Sequence, residues 1–313
     1  PWVALLSATP SVSRKSNMTI KVKLFKALIL LFMLVLILSC DSEILSPSLK
    51  VMTFNIRLNL ASDGANAWPN RREMTTSMIR FYAPDIFGVQ EALLDQVTDL
   101  ERRLPDYSWI GVGRDDGREA GEFMAIYFLK DRFELLDQAT FWLSETPEIP
   151  SLGWDAGWIR VVTWGHFTDL HTGKTFYHFN THLDSQGEQA RQAGARLLLS
   201  KMKSITASEP VVLTGDFNAD PTSKAYEIVT QGVNGGGFKL IDSQKISQHP
   251  HHGPKRTFNG FDLNSLKTEV GPIDYIFVQN RIDVLKHATL SDTFHGFFPS
   301  DHMPVYAELS LAK

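Results

Sequence analysis

PVVLTGDFNAD (Pro210–Asp220) is the stretch on which the reading of the fold turns. The apolar run Val211–Leu213 behind Pro210 is too short for a helix and has the composition of a buried strand, which predicts a strand over Pro210–Thr214. It stops in Asp216, Asn218 and Asp220. A strand ending in carboxylates and amides usually delivers them to the rim of a sheet, where loops carry chemistry. Asp216 and Asn218 sit at alternate positions, so on an extended chain both side chains point to one side.

Working outward, the same pattern recurs. LKVMTFNI (Leu49–Ile56) presents Asn55 at its end, DIFGVQE (Asp85–Glu91) ends in Glu91, and FNTHLD (Phe179–Asp184) carries His182. PIDYIF (Pro272–Phe277) and SDHMPV (Ser300–Val305) add Asp274, Asp301 and His302. Helices are predicted over Arg71–Tyr82, stopped by Pro84, over Leu94–Leu104, and from the capping-box pattern Ser185–Glu188 to about Ser204. Further strands are expected near Tyr107–Val112, Glu122–Phe128, Phe133–Leu143, Val161–Leu170, Lys174–Asn180, Ile273–Val278, Ile282–Thr289 and Val305–Leu311, with Gln244–Gly271 as loop. Strands mixed with helices in two halves predict an α/β fold of two packed sheets covered by helices.

The first 40 residues read differently. They hold no Asp or Glu, five basic residues from Arg14 to Lys26, and then ALILLFMLVLIL (Ala27–Leu38). As a helix that run spans ~18 Å, short of the ~30 Å hydrocarbon core and suited to the h-region of a signal peptide. It ends in Ile37-Leu38-Ser39-Cys40, which resembles a bacterial lipobox. Residues 1–40 are therefore expected to be a leader with a lipoprotein-type signal peptide (Met18 being a plausible start), residues 41–48 a tether, and residues 49–313 one domain. A lipid anchor at Cys40, an extracytoplasmic location on a bacterial membrane and a monomeric state are the corresponding expectations. Cys40 is the only cysteine, which excludes an intramolecular disulfide.

Beyond residue 39 the chain carries 26 basic and 35 acidic residues, a formal charge of −9. A protein that grips long nucleic acid needs a basic face to displace counterions, so nucleic acid is a possible but not favoured partner. The composition leans toward a small or neutral-headed phosphate substrate.

Asn55 and Glu91 offer oxygen to a hard cation, although an Asn after a strand is also a common turn residue and a Glu opening a helix a dipole-favouring charge. Asp216 is placed to take a proton from water and Asn218 to hold that water or a phosphate oxygen, against the plainer reading of a turn before Pro221. Asp301 and His302 are adjacent, so His302 is expected to pair with Asp274 and stay cationic, leaving Asp301 for a metal or a water. His182, with Asn180 two residues before it on the same face, is a candidate donor to the phosphate, and Glu122 a candidate partner for its other nitrogen. Asp184 reads more simply as a neighbour of a helix N-cap. Aromatics beside arginines in Arg57–Glu73, Ser144–Arg160 and Gln244–Gly271 either stack substrate or pack the rim; Arg160 is the preferred phosphate ligand.

Together these motifs resemble, in order from Lys50 to Leu311, the endonuclease/exonuclease/phosphatase superfamily, to which deoxyribonuclease I belongs. The stretches Gly153–Phe167 and Thr257–Phe261 look most like its bacterial secreted and lipoprotein group. The resemblance implies a four-layer α/β sandwich, two packed mixed β-sheets flanked by helices. It implies in-line attack of water on a phosphate mono- or diester, assisted by Mg²⁺ or Mn²⁺. On this basis Asn55, Glu91 and Asp301 match metal ligands; Asp216, Asn218, Asp274, His302, His182 and Glu122 match catalytic positions; and Arg160 and Asn180 are assigned to phosphate binding. An extracellular nuclease and a catalytically silent phosphate-binding lipoprotein are the alternative readings.

Overall fold

The computed structural model describes residues 48–311, together with Ala4, Phe25 and Lys26. The chain divides into two compact units, Pro1–Ser46 and Pro47–Lys313, and every strand among the described residues lies in the second. Apart from those three residues the leader, with Cys40, and most of the tether lie outside the described residues.

Two six-stranded sheets make up the centre of this second unit. The first contains β1 (Leu49–Asn55), β2 (Ile86–Gln90), β3 (Tyr107–Ile110), β4 (Ile126–Leu129), β11 (Ile282–Thr289) and β12 (Val305–Leu311), in the order β11-β12-β1-β2-β4-β3. The second contains β5 (Phe133–Trp142), β6 (Val161–Asp169), β7 (Lys174–His182), β8 (Val211–Asp216), β9 (Ile241–Asp242) and β10 (Asp274–Gln279), in the order β5-β6-β7-β8-β10-β9. Each sheet is mixed, with one parallel pair, β1–β2 or β7–β8, among antiparallel neighbours. Parallel strands need a crossover, and the sequence supplies helices for it: α1 (Trp68–Tyr82) joins β1 to β2, and α3 (Glu188–Thr206) joins β7 to β8.

Three apolar layers hold the sandwich. Val51, Ile86, Ile126 and Val305 of the first sheet meet Phe167, Phe176, Val212 and Ile276 of the second. The outer face of the first sheet packs Phe54, Phe87 and Tyr127 against Ile79 of α1 and Val97 and Leu100 of α2 (Leu94–Arg103). The outer face of the second packs Phe179, Leu213 and Phe277 against Leu198 and Met202 of α3 and Ile228 of α4 (Lys224–Gln231). The result is the expected four-layer α/β sandwich.

Several local expectations differ. The strand expected over Glu122–Phe128 begins only at Ile126, because Phe123 is drawn into single bridges with Ala92 and Gly113. The Ser185–Glu188 capping box is not made: Gly187 is the N-cap of α3 and makes no side-chain cap. Asp155, from the preceding loop, accepts instead from the backbone N–H of Gln189 (3.2 Å) and Ala190 (2.6 Å), supplying the negative charge a helix N-terminus favours. The segment Gln244–Gly271 is not all loop, since α5 (Ser243–Ile246) and a 3₁₀ turn at Leu263–Lys267 interrupt it.

Candidate active site

Strand register builds the site. In the second sheet Asp216 at the end of β8 is paired with His182 on β7 and with Asp274 on β10, so the three side chains form one row across three strands. In the first sheet Asn55 ends β1 and Glu91 follows β2 immediately, side by side in the parallel pair. The Ser300–His302 turn enters β12 from the same rim, and the Ser300 hydroxyl donates to the Asn55 carbonyl at 2.7 Å.

His302 Nδ1 lies 2.9 Å from Asp274 Oδ2, the pairing expected from the two motifs. Burial alone would lower the His302 pKa, but the carboxylates of Asp274, Asp216 and Asp301 outweigh it and hold the imidazole well above its ordinary value. The second imidazole is the opposite case. His182 is pushed well below its ordinary value by burial, reinforced by Arg160, His302 and Arg114. Asn218 Nδ2 donates to the Leu183 carbonyl (3.0 Å), which fixes the amide orientation, and also points at His182 Nε2 (2.9 Å). A neutral His182 therefore accepts at Nε2 and carries its proton on Nδ1.

Glu122 is not the hydrogen-bonded partner of that nitrogen. Its carboxylate is 4.0 Å from His182 Nδ1 and is claimed by Arg114 at 2.6 Å, leaving Nδ1 buried without a partner. Asn180 departs further from expectation. It is fully buried, donates to the carbonyls of Val89 (2.8 Å) and Ala125 (3.0 Å) in the opposite sheet, and accepts from Gln90 (2.7 Å), so both ends of its amide are engaged in tying the sheets together. Asp216 and Asn218 do converge, but through a turn: Asn218 has φ 46° and its N–H donates to Asp216 Oδ1 at 2.9 Å.

For a cation, carboxylate oxygens of Glu91 and Asp216 lie within 4.8 Å of each other and of a ring nitrogen of His302, whose positive charge keeps it from acting as a ligand. Asn55 bridges them with its NH₂, donating to Glu91 Oε1 (2.9 Å) and Asp216 Oδ2 (3.0 Å), while its Oδ1 accepts from the Arg57 N–H (3.0 Å). As oriented, Asn55 thus positions carboxylates and does not present its oxygen as a ligand. Asp301 is 8% exposed, lies 3.8 Å from Arg57, and has its pKa raised chiefly by burial. Two acidic oxygens already held by an amide NH₂, with further carboxylates beside them, are a donor set that fits a hard divalent cation.

Glu91, Glu122, His182, Asp216, Asn218, Asp301 and His302 line one cavity of about 680 Å³, while Asn55, Asn180 and Asp274 stand behind its wall. Its wall also includes Arg57, Arg114, Asp115, Trp158, Arg160 and Phe258. Arg160 is 5% exposed; its Nε donates to Asp184 (3.3 Å) and its Nη1 is buried without a partner. Arg114 and Asp115 escaped sequence reading because they lie in a charged loop, VGRDDGREAGE (Val112–Glu122), with no strand end or spacing to single them out. Asp184 does more than neighbour an N-cap. It accepts from the N–H groups of Gln186 and Gly187 and from those of Gly157 and Trp158, which locks the Trp158–Arg160 loop onto the end of β7.

Carboxylates and imidazoles gathered where the two sheets of such a sandwich meet are groups suited to moving protons and neutralising charge at a phosphate ester. Residues 52–302 match the Endonuclease/Exonuclease/phosphatase family, and the chain belongs to it. An endonuclease/exonuclease/phosphatase from Bacteroides vulgatus is 38% identical with a TM-score of 0.80, over 84% of this chain and 99% of that one. The mannosyl-6-phosphatase of Bacteroides thetaiotaomicron is 39% identical with a TM-score of 0.78, over 84% of this chain and all of the other. Human nocturnin is 24% identical over 312 residues, 88% of this chain and 68% of nocturnin. The uncharacterised protein L388 of Acanthamoeba polyphaga mimivirus is 29% identical, but the match spans only 49% of this chain and 60% of L388.

Proposed function

We propose that this chain is a divalent-cation-dependent phosphoesterase that hydrolyses a phosphate ester by in-line attack of water. The observation that carries the proposal is the cross-strand row His182–Asp216–Asp274, with His302 bonded to Asp274 and facing Asp216 at 3.7 Å. Burial, then the neighbouring Asp274 charge, pushes the Asp216 carboxyl up to about 7, the range in which a general base works best at neutral pH. Asp216 takes the proton from the attacking water, and Asn218, locked on Leu183 and His182, orients that water. His302, held cationic by Asp274, neutralises charge that builds on the phosphoryl oxygens, and Arg160 Nη1 is a further donor to them. A divalent cation held by Glu91 and Asp301 would add Lewis-acid stabilisation of the same charge, and oxygen ligands favour Mg²⁺ or Mn²⁺.

The nuclease reading is weaker on electrostatic grounds. The three arginines of the cavity are each compensated, Arg57 by Asp63, Arg114 by Glu122 and Arg160 by Asp184, so none of the three brings an uncompensated charge to a nucleic-acid backbone. The mannosyl-6-phosphatase among the relatives supports a monoester substrate. A silent binding protein has no chemical need for the whole catalytic set. The location belongs to the same proposal: an extracytoplasmic enzyme, lipid-anchored through Cys40.

The test is a panel of phosphomonoesters, phosphodiesters, inositol phosphates, sphingomyelin and DNA, assayed in EDTA and after adding Mg²⁺ or Mn²⁺. Hydrolysis of one class, lost in EDTA and restored by the metal, is the expected outcome. Full activity in EDTA would sink the mechanism.

A further inference from the structure

Trp158 is the unusual residue of the cavity wall. A tryptophan in a concave site is ordinarily well buried, yet this indole is 52% exposed. Loop slack does not account for it. The N–H groups of Gly157 and Trp158 both donate to Asp184 at 3.1 Å, and Arg160 Nε is bonded to the same carboxylate, so the indole is presented from a pinned backbone. The Arg114 guanidinium carbon lies 5.8 Å from the centre of its ring. Arg114 is itself 6% exposed, and its Nε is buried without a hydrogen-bond partner. Next to it, the Asp115 side chain is half exposed at the cavity wall.

These residues continue the catalytic row. From Asp216 the wall passes to His182 (3.3 Å), from His182 to Glu122 (4.0 Å), from Glu122 to Arg114 (2.6 Å), and from Arg114 to the indole. The phosphate belongs at the Asp216 end, so whatever the phosphate is esterified to lies toward Trp158. A rigid aromatic face beside a carboxylate acceptor and a guanidinium donor is complementary to a pyranose. The electron-rich face takes the polarised C–H groups of the ring, and the charged side chains take its hydroxyls. A nucleobase could use the same face, but a nucleotide chain would bring further phosphates to a wall whose arginines are already paired with carboxylates.

Resting on the phosphoesterase reading above, we propose that Trp158, Arg114 and Asp115 form the subsite for the alcohol part of the substrate, and that this alcohol is a hexose. The substrate is then a sugar phosphate monoester, and Trp158 and Asp115 determine specificity without touching the reacting phosphate.

The experiment uses the full chain with Mg²⁺ and compares mannose 6-phosphate and glucose 6-phosphate with sn-glycerol 3-phosphate, which has no ring to stack, and with AMP. Trp158→Ala should raise KM for the hexose phosphates about tenfold, with Trp158→Phe restoring part of the loss. Turnover should stay within about threefold, and glycerol 3-phosphate should be hydrolysed as by the wild type. Asp115→Asn should also raise KM for the hexose phosphates. Equal losses on glycerol 3-phosphate, unchanged KM for the hexoses, or a Trp158-dependent preference for AMP would each overturn the assignment. Calorimetric binding of mannose 6-phosphate to the Asp216→Asn chain, with and without Trp158→Ala, separates the two readings. If the wild type hydrolyses nothing while the hexose phosphate binds and Trp158→Ala abolishes that binding, the phosphoesterase reading fails and the subsite stands. If binding is absent or indifferent to Trp158, the subsite is refuted.

Discussion

Burial pushes the Asp216 carboxyl up to about 7, Asp274 adds to the rise, and His302 and the donors Asn218 and Asn55 pull it back. Below that pH Asp216 is largely protonated and cannot accept a proton, so the rate should climb as pH rises through about 7. His302, held well above 6.5, loses its charge at higher pH, which sets the falling limb. The stability signs agree, because each group binds its proton more tightly in the folded state and each contribution falls as pH rises. Raising Asp216 above its unfolded value of 3.8 makes the folded state bind more protons between 3.8 and about 7, so its contribution falls as pH rises through that window. The raised His302 pKa contributes stability that is fully present below 6.5 and is lost as pH rises through the folded value. Asp216→Asn should therefore lower kcat by about 10²–10⁴ and remove the acidic limb, without raising KM. A variant with the wild-type rate and pH profile would make Asp216 a turn residue. The pairing of His302 with Asp274 was legible in the sequence because each partner stands at the entry to a strand, β10 in one sheet and β12 in the other. The link between His182 and Glu122 was misread because Arg114, only eight positions away, competes for that carboxylate.

At the scale of elements, side chains far from the chemistry hold the strand ends in place. The Arg71 guanidinium on α1 is fully buried and donates to the carbonyls of Ile56 and Pro299, both at 2.8 Å, and also to those of Asn66 and Arg57. It thereby clamps the turn after Asn55 to the turn before Asp301. Between the sheets, Gly88 on β2 leaves space for the Asn180 and Thr214 side chains, and a Cβ there would fall inside contact distance of Asn180 Oδ1 and Thr214 Oγ1. Gly88→Ala should destabilise the fold by about 1–3 kcal/mol by overpacking, read as a Tm lowered by several degrees. A melt coincident with the wild type would mean that the two sheets separate freely at this point. Strand positions were readable, because composition and periodicity are local. The capping of α3 by Asp155 was not, since that carboxylate arrives from a loop 34 residues away.

For the molecule as a whole, the Cys40 proposal makes a separate prediction. The full chain, expressed in a bacterium, should partition with membranes, and Cys40→Ala should move it to the soluble fraction. A wild-type chain recovered wholly soluble would remove the anchor. That reading rests on a leader whose signals are a charge bias and an apolar run, which need no fold to be read. By itself the sequence determined the sandwich and the polar groups at its strand ends, because a buried strand needs a short apolar run and a rim residue must be free to be polar. Beyond the His302–Asp274 pair, only the tertiary structure decided which group faces which. Register set Asp216 between His182 and Asp274, inter-sheet packing took Asn180 out of the site, and loops brought Arg114, Asp115 and Trp158 to the cavity. Those outcomes depend on contacts between residues distant in the chain, where the energy of one pairing is settled by its competitors and not by the local pattern.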